Sequence, residues 1–214
     1  MNGVKISRTK QIYLAAGAVT GWFAVILQFY LQLINRLAGV TETIFRFFSY
    51  YTILTNILVA FCFTVLLLFS RSEIGKFLSQ PKVLTAVAGY IAFVGLAYHI
   101  LLRHLWNPEG LQFIVDVLLH SCMPVMFFLY WLIFVPKADL KWSNVVPWMI
   151  YPVAYLLWVL FRGVFSGFYP YPFVDVNNLG YHRVLLNDGG LIVAFLLLSL
   201  LFVGLGKLIS RRGR

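Results

Sequence analysis

Six long apolar stretches, at about 12–34, 47–69, 84–105, 111–134, 144–165 and 185–208, dominate this chain. Each is close to the roughly 20 residues that cross the hydrocarbon core of a bilayer. Hydrocarbon offers the main chain no water to bond, so each stretch must satisfy its own N–H and C=O groups as a helix. The expected fold class is therefore all-α, a polytopic membrane protein built as a six-transmembrane-helix bundle. The connections are too short to hold a soluble domain, so residues 1–214 are expected to form a single domain. Composition agrees, with 61% hydrophobic and 11% charged residues, against about 45–50% and about 25% in soluble domains.

Lysine and arginine in the short connections orient such a bundle. Lys5, Arg8 and Lys10 precede the first stretch, Arg71, Lys76 and Lys82 follow the second, and Lys137 and Lys141 follow the fourth. Lys207, Arg211, Arg212 and Arg214 close the chain, which puts 12 on one side against Arg36, Arg46, Arg103, Arg162 and Arg183 on the other. Both termini are expected in the cytoplasm. The net charge of +10 then reflects topology and contact with anionic lipid. No basic run is long enough to form a nucleic-acid-binding domain, so no nucleic-acid partner is expected. The first stretch is too long for a signal-peptide core and reads as a retained helix. Cys62 and Cys122 sit at different depths and make neither a disulfide framework nor a metal-ligand spacing.

Ionisable and strongly polar residues inside spans are costly and mark functional sites by default. Here they gather towards the outer ends: Thr52 and Asn56, His99 and Arg103, Asp116 and His120, Arg162, and Asn187 with Asp188. Asp116 and His120 stand four residues apart on one helix face, and helical side chains lean towards the N-terminus, so His120 leans at Asp116. Helix rise places them about 7 Å and about 13 Å below the outer surface. Thr52 and Asn56 have the same spacing at nearly the same depths. A hydroxyl, a base, an orienting carboxylate and an amide donor are the parts of a hydroxyl nucleophile with its activating base and oxyanion donor. Thr55 competes with Thr52 for the place of the hydroxyl. Pro124 is expected to free the carbonyl of His120, four residues earlier.

Each residue also has a plainer reading. A membrane threonine commonly bonds back to the carbonyl one turn earlier. The Asp116–His120 pair can simply join helices, Asn56 can be interhelical glue, and arginines near helix ends can snorkel outward. Together, Arg103, Arg162 and Arg46 can hold a carboxylate head group through the guanidinium fork. Asn187 and Asp188 are expected to pair with one of these arginines. The fifth connection, 166–184, is the longest and is rich in aromatics and proline. It reads as an interfacial aromatic belt or as a lid, and its Tyr169 joins Arg103, Arg162, His99, Asn187 and Asp188 as a substrate-binding candidate. His104 and His182 are expected in aqueous loops. His99 and His120 at similar depth admit axial haem ligation as a competing reading.

The stretches FSYYTILTN (Phe48–Asn56), LLHSCMP (Leu118–Pro124), WMIYPVAYLLWVLFRG (Trp148–Gly163) and YPYPFVDV (Tyr169–Val176) carry a resemblance over nearly the whole chain. They resemble a bacterial family of six-span membrane proteins without an assigned role. More distantly, that family is similar to the androgen-induced proteins and the androgen-dependent regulator of tissue-factor-pathway inhibitor, intramembrane hydrolases of fatty-acid esters of hydroxy fatty acids. The resemblance implies a threonine and a histidine on separate spans, matched by Thr52 and His120. The expected function is hydrolysis of an ester in a lipid-like or fatty-acyl substrate, at the periplasmic side of a bacterial inner membrane, with no cofactor and no metal required. The alternative is a transporter or receptor for a small amphipathic anion.

Overall fold

A computed structural model describes residues 7–212, and Lys5 and Arg214 of the orientation argument lie outside them. All regular structure among the described residues is helical. Six helices are long and apolar enough to cross a membrane: Arg8–Ile34, Tyr51–Leu68, Pro81–Leu102, Gly110–Phe134, Trp142–Ser166 and Val176–Arg211. Large apolar side chains such as Ile12, Val19, Phe23, Leu157 and Leu186 face outward, as the flanks of a helix against lipid require. The chain is an integral membrane protein.

The boundaries depart from the sequence reading in two places. The second span begins at Tyr51 rather than near residue 47, because residues Val40–Phe47 form a separate short helix. That helix buries Thr43 and Phe47 on one side while carrying Glu42 and Arg46, so it is amphipathic rather than spanning. The fifth connection is also shorter than expected, since helix resumes at Val176. Asp175 Oδ1 accepts from the Asn177 N–H at 2.9 Å, which caps that start. Gly180, at φ 73° and ψ 159°, breaks the helix once before it continues, a conformation that favours glycine. His182 is consequently helical and exposed, whereas His104 lies exposed in a turn as expected.

The chain divides into two compact units, Met1–Asn35 with Thr52–Pro136, and Arg36–Tyr51 with Lys137–Arg214. The first unit contains the first four spans, the second of them from Thr52 onward. Small residues let its helices approach closely: a Cβ on Gly21 would meet Ala60 and Met123, and one on Gly95 would meet the His120 carbonyl and Pro124. Polar side chains tie the spans together. Tyr13 donates to the Met126 carbonyl at 2.8 Å, Trp22 to Thr64 at 3.0 Å, and Trp131 to Thr85 at 2.9 Å. Phe63, Phe127 and Tyr130 fill the space between with ring centroids 5.1–5.8 Å apart.

The second unit contains the short helix and the last two spans. Tyr155 donates to the Ser49 carbonyl at 2.9 Å and packs against Tyr51. Arg162 reaches Glu42 at 2.9 Å, joining the fifth span to the short helix.

Candidate functional site

The third and fourth spans each carry one π-helical turn, Tyr98–Leu102 and Leu118–Cys122. Such turns recur at functional sites because the extra residue re-aims side chains. In the fourth span the cause is legible. Pro124 has no N–H for the His120 carbonyl, and its ring would crowd that oxygen in a regular α-helix. Widening the turn relieves the clash, and the Met123 N–H closes instead on the Leu118 carbonyl.

His120 folds back onto Asp116. Its Nδ1 hydrogen-bonds the Asp116 main-chain oxygen at 3.0 Å and stands 3.2 Å from Oδ1. The carboxylate contact is an ion-pair distance without hydrogen-bond alignment, since Oδ1 itself makes no hydrogen bond. Both neighbours of Nδ1 are acceptors, so in the neutral imidazole Nδ1 carries the proton and Nε2 presents its lone pair. Nε2 makes no hydrogen bond among the described residues. Asp116 is 4% exposed, so its other oxygen needs a partner inside the protein.

That partner is Tyr98, which sequence reasoning passed over. Its hydroxyl donates to Asp116 Oδ2 at 2.5 Å, and its ring stacks on His120 with centroids 3.8 Å apart. A tyrosine near a span end reads as interfacial belt, and no spacing rule links it to a carboxylate 18 residues on. His99, next to it, is exposed and contacts Ser121 Oγ through Nε2 at 3.0 Å. Ser121 was likewise passed over.

Asn56 follows the plainer of its two readings. Its amide nitrogen donates to the Thr52 carbonyl at 2.8 Å and to the Leu119 carbonyl at 3.2 Å. Both N–H groups are spent, and the buried atom left without a partner is the acceptor Oδ1. Asn56 is therefore an interhelical bridge, not an available oxyanion donor. The bridge has a positional consequence. Spans two apart in the chain run in the same direction, so pairing Asn56 with Leu119 sets Thr52 at the level of Val115 and Asp116. The His120 ring, folded back one turn, lies at that same level. Thr52 is 9% exposed and Thr55 fully buried.

The remaining candidates divide between the units. Arg103 follows the π turn of the third span and is exposed. Arg162, Tyr169, Asn187 and Asp188 belong to the second unit. The expected pairing of Asn187 or Asp188 with an arginine is not observed. Asn187 donates to the Phe173 carbonyl at 2.8 Å, and both Asp188 oxygens are buried without a hydrogen bond. Arg162 takes Glu42 instead, a partner 120 residues away on the short helix. Tyr169 packs where a side chain on Gly163 would otherwise sit. No group of three or more His, Cys, Asp or Glu suited to a metal ion occurs among the described residues.

Compared with protein-family models, curated proteins and solved structures, the chain gives no match.

Proposed function

We propose that this protein is an intramembrane hydrolase that cleaves an ester in a lipid-like substrate, of the fatty-acid ester of hydroxy fatty acid type. One observation carries the reading: a part-buried imidazole whose Nδ1 is committed to Asp116 and whose Nε2 is free to act as a base. Thr52 Oγ1 attacks the ester carbonyl, and His120 Nε2 takes its proton. The acyl group passes to the threonine, and the alcohol leaves with a proton returned by His120. Water, activated by the same nitrogen, then releases the fatty acid. Asp116 holds the imidazole in the working tautomer, and Tyr98 holds Asp116. The distant similarity to intramembrane threonine hydrolases, carried by Thr52 after an aromatic-rich span start and by His120 in a later span, supports the reaction class. The 12-to-5 charge asymmetry supports a site on the periplasmic side of a bacterial inner membrane.

A second hydroxyl deserves a separate arm of the test, because Ser121 sits in direct hydrogen-bond reach of an imidazole. A fluorophosphonate probe on the purified protein distinguishes the two. Thr52→Ala is expected to abolish labelling and ester turnover, while Ser121→Ala leaves both intact. Full ester cleavage by the Thr52→Ala protein would remove Thr52 from the mechanism. Absence of labelling and turnover in the unaltered protein would leave a binding protein for an amphipathic anion.

A further inference from the structure

Arg162 is 9% exposed, and its guanidinium is only half used. Nη2 donates to Glu42 Oε1 at 2.9 Å, whereas Nη1 is buried with no hydrogen bond. The same Glu42 oxygen accepts from Arg46 Nε at 2.8 Å. Two cations thus share one carboxylate, and the cluster holds a formal charge of +1. Phe168 covers both guanidiniums, its ring centroid 4.5 Å from Arg46 Cζ and 5.3 Å from Arg162 Cζ. Cation–π contact of this kind stabilises the positive charge without neutralising it.

The cover is fixed in place. Gly167, at φ 65°, ends the fifth span in a left-handed turn that sends the chain back over its own last residues. Ser166 Oγ accepts from the Phe168 N–H at 3.2 Å, and Asn177 donates to the Gly167 carbonyl at 2.8 Å. A buried, charged donor without a partner is costly. Here Arg162 is held by its ion pair to Glu42 beneath a ring that the Gly167 turn positions, so the unused donor belongs to a defined arrangement.

We infer that Arg162 and Arg46 form a receptor for the two-oxygen monoanionic head group of a membrane amphiphile, a carboxylate or a phosphodiester. A single negative charge balances the cluster, and two oxygens match the fork that a guanidinium presents. Glu42 and Arg46 lie on a helix between spans, and Phe168 in a connection, which puts the receptor where the head groups of amphiphiles lie. The site requires nothing from the proposed ester cleavage.

The test uses the full chain in a neutral detergent, with oleate, oleyl alcohol, phosphatidylglycerol and phosphatidylcholine as probes. Oleate or phosphatidylglycerol is expected to bind at least tenfold more tightly than the uncharged or zwitterionic counterpart. Preference for oleate identifies a fatty carboxylate, and preference for phosphatidylglycerol a phospholipid. Arg162→Gln should erase the preference, and Arg46→Gln, which leaves the Arg162–Glu42 pair intact, should weaken it. Glu42→Gln should strengthen anion binding, an effect that a merely structural cluster would not produce. The preference is expected whether or not the protein turns over an ester, which separates this site from the hydrolase reading. Equal binding of oleate and oleyl alcohol together with no preference for phosphatidylglycerol overturns the inference, as does an unchanged preference in Arg162→Gln. Should Arg162→Gln not fold, unchanged binding in both Arg46→Gln and Glu42→Gln overturns it equally.

Discussion

Tyr98 lies flat on His120, the two rings 3.8 Å apart and 13° from parallel, while its hydroxyl reaches the carboxylate that holds that histidine. One side chain from the third span thereby fixes two residues of the fourth. Tyr98→Phe keeps the stack and deletes the bond to Asp116. Turnover of a fatty-acid ester is expected to fall about tenfold or more, since a hydrogen bond to a charged group is worth about 1.5–3 kcal/mol. The loss should appear in kcat rather than KM, and Tyr98→Leu, which also removes the stack, should lose more. Equal activity of the phenylalanine variant and the unaltered protein would reduce Tyr98 to a packing residue.

Asn56 joins the second span to the fourth through two carbonyls. Asn56→Ala leaves the Leu119 carbonyl buried without its donor, at a cost of about 1–3 kcal/mol. Asn56→Asp should be worse than alanine, because an acceptor would then face two acceptors. Thermal melting in detergent measures both, and a more stable aspartate variant would refute the bridge.

Pro124 is expected to cost stability and support activity. Pro124→Ala restores an N–H to the His120 carbonyl and permits a regular α-helical turn in place of the π turn. Melting temperature should hold or rise, while ester cleavage falls because the residues before the turn rotate relative to those after it. A variant that melts higher and cleaves as well as before would show that the widened turn does not position His120.

Glu42 is held below the usual carboxylate range, chiefly by the hydrogen bond from Arg46 and further by Arg162, against the opposing effect of burial. A lowered folded value stabilises the protein above the unfolded value of about 4.3 and loses that contribution as pH falls through the folded value. The melting temperature is therefore expected to decline on acidification below about pH 4, less steeply in Glu42→Gln. Parallel curves for the two proteins from pH 7 to pH 3 would count against the pairing.

The six spans were legible in the sequence because hydrocarbon leaves the main chain one way to satisfy its hydrogen bonds, and apolar length reports it directly. The Asp116–His120 pair was legible for a related reason. A spacing of four places two side chains on one face of a helix, whatever surrounds it. Pro124 likewise announced an irregular turn, since its missing N–H is a property of the residue.

Relations between helices were not legible, because they depend on how each helix is rotated about its axis, and near-uniform apolar faces leave that rotation unmarked. Tyr98 on Asp116, Asn56 on Leu119 and Arg162 on Glu42 are pairings of this kind, spanning 18, 63 and 120 residues of chain. Sequence supplied the periodicity and the polar groups that bilayer burial makes expensive. Tertiary structure alone chose their partners, because satisfying a buried polar group requires a specific atom at bonding distance, and packing decides which one arrives.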